Sequence, residues 1–124
     1  MSHRILIVDD EDDIRAVAAL SLETVADWEV VVASSGAQGL ARAIEYQPDA
    51  ILLDVMMPGM DGPATFRELR KNPATARIPV LLLTAKVQSS DQRSFADLGV
   101  EAVLLKPFDP LTLSTQIAAV LGWN

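Results

Sequence analysis

The sequence has no cysteine. That excludes disulfides, thiolate metal sites and cysteine nucleophiles together, and it fits a reducing cytoplasm. No apolar run approaches the roughly 20 residues that a membrane helix needs. The N-terminus lacks a signal-peptide pattern, because Arg4 leads into only a few apolar positions before acids begin at Asp9. Basic residues are also scarce: 10 against 17 acidic ones, for a net charge of −7. Such a chain is a poor direct binder of phosphate backbones, and the reading is no nucleic acid and no membrane. It suits cations and basic protein surfaces better. The one histidine, His3, sits near the terminus, where no chemical role is read for it. There is no internal repeat, low-complexity tract or linker.

What is present is a core. Half of the 124 residues are hydrophobic, which suits one compact domain over residues 1–124. Five short apolar runs recur: Ile5 to Val8, Glu29 to Ala33, Ala50 to Leu53, Val80 to Leu83 and Ala102 to Leu105. Four are nearly unbroken, as in strands buried on both faces of a parallel sheet. The second carries Glu29 near its start and reads as an edge strand. Helical patterns lie between the runs. Ile14, Val17, Ala18, Ser21 and Val25 share one face; Ala37, Leu40, Ala41 and Ile44 share another; Ile117, Ala118, Val120 and Leu121 form the last. Ser35 with Gln38 has capping-box spacing. Asp109-Pro110 reads as an N-cap with proline at the first helical position, and Gly62-Pro63 as another start. Gly99 sits where a left-handed helix end would place it. Strand and helix thus alternate five times, and right-handed crossovers give a three-layer α/β sandwich.

Asp9 and Asp10 follow the first strand, and Asp54 ends the third. Open parallel sheets build ligand sites at the carboxyl ends of their strands. With strand order 2-1-3-4-5, strands one and three are neighbours about 4.8 Å apart, and three carboxylates share one cleft. Like charges at that distance raise each other's pKa unless a cation offsets them. Hard oxygen donors without histidine or cysteine favour Mg²⁺ over zinc. Thr84 and Lys106 end strands four and five on the same edge, so a hydroxyl and an ammonium join the acids. A carboxylate can act as a nucleophile and form an aspartyl phosphate. Asp54 is the best placed, since it stands alone at its strand end. Mg²⁺, Lys106 and Thr84 would then face the oxygens of the added group. Glu11, Asp12 and Asp13 read as an acidic helix start, Lys86 as a solvated loop lysine, and Trp28 and Trp123 as core or rim packing. For Met56, Met57 and Met60, a pliable docking surface and plain loop packing stand level.

Ile7-Val8-Asp9-Asp10-Glu11, Leu52-Leu53-Asp54-Val55-Met56-Met57-Pro58-Gly59-Met60-Asp61-Gly62, Leu83-Thr84-Ala85 and Leu105-Lys106-Pro107-Phe108 together make the chain resemble, over its whole length, the receiver domain of two-component response regulators. The resemblance implies a flavodoxin-like fold and transfer of a phosphoryl group from a phosphohistidine of a sensor histidine kinase, or of a histidine phosphotransfer protein, to Asp54. It implies Mg²⁺ held by Asp10, Asp54 and the backbone carbonyl of Met56, with Asp9 helping through water. It further implies phosphoryl contacts from Thr84 and Lys106, and a cis Lys106-Pro107 bond. The chain departs from the pattern at Val103, where receivers usually carry a Tyr or Phe that couples to the threonine.

Two other classes share some of these features. A haloacid-dehalogenase-type phosphatase or phosphotransferase also uses an aspartyl nucleophile with Mg²⁺, but it places a second Asp two residues later, where this chain has Met56. A flavodoxin-like cofactor binder wants a phosphate-cradling loop after strand one, where this chain has Asp-Asp-Glu-Asp-Asp. The leading expectation is therefore a cytoplasmic signalling switch that catalyses only its own phosphorylation and dephosphorylation. It is expected to be a stand-alone receiver, monomeric or weakly dimeric, with its output through a protein partner.

Overall fold

The computed structural model describes residues 3–85 and 89–123. Five strands alternate with five helices: β1 (Arg4–Val8), α1 (Asp12–Val25), β2 (Glu29–Ala33), α2 (Gly36–Tyr46), β3 (Ala50–Asp54), α3 (Gly62–Lys71), β4 (Val80–Thr84), α4 (Ser89–Ala96), β5 (Ala102–Leu105) and α5 (Leu113–Leu121). All strand pairs are parallel, in the order β2-β1-β3-β4-β5. The order reverses after β2, so β1 and β3 lie side by side, with Val8 opposite Leu53. This register brings Asp9 and Asp54 to the same sheet edge.

Alternation along each strand sends side chains to opposite faces. Leu6, Val8, Ile51, Leu53 and Leu82 pack with Ala43 of α2, Phe66 and Leu69 of α3 and Phe95 of α4. Ile5, Ile7, Leu52, Leu81 and Leu83 pack with Ala18 and Leu22 of α1 and Leu113 and Ile117 of α5. Two helices therefore cover one face and three the other. β1, β3 and β4 are buried almost throughout, as unbroken apolar runs predict. β5 is not: it is the second edge strand, only half-buried, and Leu105 is exposed. An apolar run reports hydrophobicity, not which side of a strand has a neighbour.

The helix faces need similar correction. In α1, Val17 and Val25 face solvent, and the buried line runs through Ala18, Ser21 and Leu22. In α2, Ala37, Ala41 and Ile44 are exposed, and the helix rests on Gly36, Gly39 and Ala43. The cause is close approach: a Cβ on Gly39 would lie 2.9 Å from Val8 Cγ2. In α5, Ile117 is buried but Val120 is exposed. Among the caps, Ser35 accepts from the Gln38 N–H, but the Gln38 carboxamide accepts from the Ser34 N–H instead of closing the box on Ser35. Asp61 caps α3 by accepting from the Ala64 N–H, with Pro63 in the first turn. Asp109 does not cap α5. It makes a local turn by accepting from the Leu111 N–H, and the helix begins at Leu113. Gly99 does adopt a left-handed conformation, φ +99°, shortly after α4.

Candidate functional site

The residues that the sequence singles out meet at the carboxyl edge of the sheet. Asp9 leaves β1 with its N–H donating to the Ala33 carbonyl of β2, and it is 1% exposed. Its Oδ1 accepts the Glu11 N–H at 2.9 Å, which turns the chain into α1. Asp54 ends β3 and is 2% exposed. The Val55 N–H donates to Leu83, and the Gly62 N–H returns to Val55, so the phosphoacceptor candidate is tied to both β4 and α3. Gly62 must be glycine: a Cβ there would stand 2.6 Å from the Asp54 carbonyl oxygen. Thr84 is buried at the tip of β4, and its carbonyl accepts from the Lys106 N–H. Met56 is exposed beside the pocket, whereas Met57 is buried in the core, so only the former is on the surface. The Lys106-Pro107 bond is cis. Lys86 lies outside the described residues.

Lys106 organises the charges. Its Nζ is 3.0 Å from Asp54 Oδ1, 3.2 Å from Asp9 Oδ2 and 3.2 Å from Glu11 Oε1. Only 12% of its side chain is exposed. Burial pushes the Asp54 carboxyl up to about 6; Asp9 and Asp10 add to the rise, and Lys106 opposes it. Burial likewise raises Asp9, against the pull of the Glu11 N–H and of Lys106. For Lys106 burial works against the charge, but Asp54 and Asp9 outweigh it and lift the ammonium above the ordinary lysine range.

Even so, the acids are under-compensated. Among the described residues, Asp9 Oδ2, Asp10 Oδ1 and Asp54 Oδ2 are buried without a hydrogen-bond partner. Asp9 Oδ2 keeps its ion pair with Lys106. Carboxylate oxygens of Asp9, Asp10, Glu11 and Asp54 lie within 4.8 Å of one another. Orphaned anionic oxygens converging this closely are what a hard divalent cation compensates, and an all-oxygen donor set suits Mg²⁺. The residues present fit such an ion.

Two participants escape the sequence reading. Glu11, read as part of a helix start, makes no capping hydrogen bond and reaches Lys106 instead. Arg15 donates from NH1 to the Asp9 carbonyl and from NH2 to Asp12, which braces the β1–α1 turn from behind. The signal for Glu11 was its place directly after the aspartate pair; for Arg15, its position one turn into α1.

Chemically, the site offers a buried carboxylate at a strand tip, an ammonium in contact with it, and an acidic cluster fit for a cation. A family model described as the response regulator receiver domain matches residues 5–118. The chain is 41% identical over 118 residues to the DNA-binding dual master transcriptional regulator RpaA of Synechocystis, covering 95% of this chain and 48% of that protein. It spans about half the length of the first curated relatives it matches. Among solved structures it is similar to the chemotaxis protein CheY4 of Vibrio cholerae, with TM-score 0.89, 31% identity, and coverage of 97% of this chain and 99% of that one. It is similar also to the receiver domain of the Pseudomonas aeruginosa sensor histidine kinase PA1611, a structure with magnesium coordinated in the active-site cleft; there the TM-score is 0.86, the identity 28%, and the coverage 98% of this chain and 99% of that one.

Proposed function

The chain belongs to the response regulator receiver family, and on that premise we propose that it is a phosphoacceptor switch in which Asp54 takes a phosphoryl group from a phosphohistidine of a sensor kinase or phosphotransfer protein. The observation that carries this reading is the contact of Lys106 Nζ with Asp54 Oδ1 at 3.0 Å while Asp54 Oδ2 is buried with no hydrogen-bond partner among the described residues. One carboxylate oxygen is held and the other is left to react.

Asp54 attacks phosphorus, the new O–P bond forms, and the P–N bond to the donor histidine breaks with return of a proton to the imidazole. Lys106 follows the charge from the carboxylate to a phosphoryl oxygen, and the Thr84 hydroxyl takes another. Asp10, Asp54 and the Met56 carbonyl would hold Mg²⁺, with Asp9 acting through water. That ion supplies compensation for the charge on the transferring group. Burial of Asp54 and Asp9 keeps bulk water from the acyl phosphate. The phosphorylated and free forms then differ in the charge gathered at β4 and β5, which shifts the population of surfaces offered to a protein partner.

Incubation with acetyl phosphate and Mg²⁺, read by intact mass, tests the chemistry. The wild type should gain one phosphoryl group and Asp54→Asn none. Modification of the variant, or none of the wild type, overturns the reading.

A further inference from the structure

We infer that Glu11 is a positioning residue that holds Lys106 in the resting site and competes with the incoming phosphoryl group for it; this rests on the phosphoacceptor reading of Asp54. An ammonium has three N–H donors. Lys106 Nζ forms ion pairs with three carboxylates, at 3.0, 3.2 and 3.2 Å, and it also donates a hydrogen bond to Glu11 Oε1, so its charge is matched by acids before any phosphoryl group arrives. The three partners are not alike. The side chains of Asp54 and Asp9 are 3% and 1% exposed, whereas that of Glu11 is 61% exposed. Withdrawing either buried acid from Lys106 strands a desolvated charge, but Glu11 can swing into water at little cost. Glu11 is therefore the partner that yields.

Two further facts separate this role from a helix-start acid. Glu11 occupies the N-cap of α1 but makes no capping hydrogen bond with its side chain. Its own N–H is fixed by Asp9 Oδ1 at 2.9 Å, so the backbone beneath the side chain is set by the acidic cluster itself. The carboxylate also makes the mouth of the cleft more negative, which opposes an anionic donor. Each consequence points the same way: Glu11 slows loading of Asp54 and must let go for Lys106 to reach phosphate.

The test compares wild type, Glu11→Gln and Glu11→Asp with acetyl phosphate at saturating Mg²⁺, following phosphorylation of Asp54 by intact mass. Glu11→Asp keeps the charge and can still cap α1, but it is one methylene short of Lys106. Both variants should reach half-saturation at about two- to fivefold lower donor concentration, the scale expected for one partly exposed charge contact, with little change in the maximal rate. A Glu11→Asp variant that behaves as wild type would mean that charge alone matters, and unchanged kinetics in both variants would remove any role; either overturns the inference. If the wild type accepts no phosphoryl group, the phosphoacceptor reading fails instead. A second measurement holds even then: hydrogen exchange of the Lys106 ammonium, followed by ¹⁵N NMR in the unphosphorylated protein, should be slowed in wild type and faster in Glu11→Asp. Equal exchange in the two would disprove the contact.

Discussion

Asp54 carries a charge that the metal-free fold does not welcome. An unfolded aspartate titrates near 3.9, whereas burial moves Asp54 to about 6. Between those values the folded chain keeps a proton that the unfolded chain gives up, so stability falls as pH rises through this window and levels off above it. In the absence of divalent cations, Asp54→Asn removes that penalty. Thermal unfolding should show the variant more stable than wild type at pH 7.5, by at most about 3 kcal/mol for a two-unit shift. The advantage should shrink towards pH 4. An advantage that grows on acidification has the wrong sign and would contradict the electrostatics of the pocket. At this same scale the sequence was most informative: Asp9, Asp10, Asp54, Thr84 and Lys106 all lie at strand tips on one edge. Glu11 was passed over because composition cannot distinguish a side chain that caps its own helix from one that crosses to Lys106, 95 residues away in the chain.

Helices α2 and α3 each approach a strand through a glycine, and the two, Gly39 and Gly62, answer to different neighbours. A Cβ on Gly39 meets the side chain of Val8 at 2.9 Å; one on Gly62 meets backbone, the Asp54 oxygen at 2.6 Å and Val55 Cα at 2.8 Å. Gly39→Ala gains roughly 1 kcal/mol of helix propensity and loses about 1–3 kcal/mol to overpacking, so the net loss in denaturant unfolding should be small. Gly62→Ala has no side chain that can give way. It should cost more, about 2 kcal/mol or above, and also reduce acetyl phosphate labelling, because α3 must retreat from the strand end that bears Asp54. Equal labelling in the two variants would detach the α3 N-terminus from the site. These contacts also explain where the sequence misled. The five strands follow their apolar runs closely, but the buried line of α2 runs through glycines, which no hydrophobic pattern marks. Asp109 precedes a proline as a cap does, but its oxygen serves the Leu111 N–H of a separate turn.

Across the molecule, the acidic edge is one end of a body whose opposite end is closed by rings. His3 stacks on Trp123 with centroids 3.8 Å apart, and Trp28 meets Trp123 edge-on at 5.1 Å. The packing reading of both tryptophans holds, and His3 joins them as a third ring rather than as a reactive group. A cation bound only by the folded acidic edge stabilises the whole fold by mass action: a site half-filled at ~1 mM and measured at ~10 mM gains about 1.4 kcal/mol. Differential scanning calorimetry should therefore show the melting temperature rising with Mg²⁺ in wild type and much less in Asp10→Asn. An equal rise in both would place the ion elsewhere.

Asp9 directly follows β1, Asp54 ends β3, and Lys106 directly follows β5. On the ribosome the acids emerge long before the lysine that is to balance them, and β5 cannot pair with β4 until residues 102–105 have been synthesised. A chain that stops short of β5 therefore has Asp9, Glu11 and Asp54 without the ammonium that pairs with all three, and under the proposed function it should take no label from acetyl phosphate.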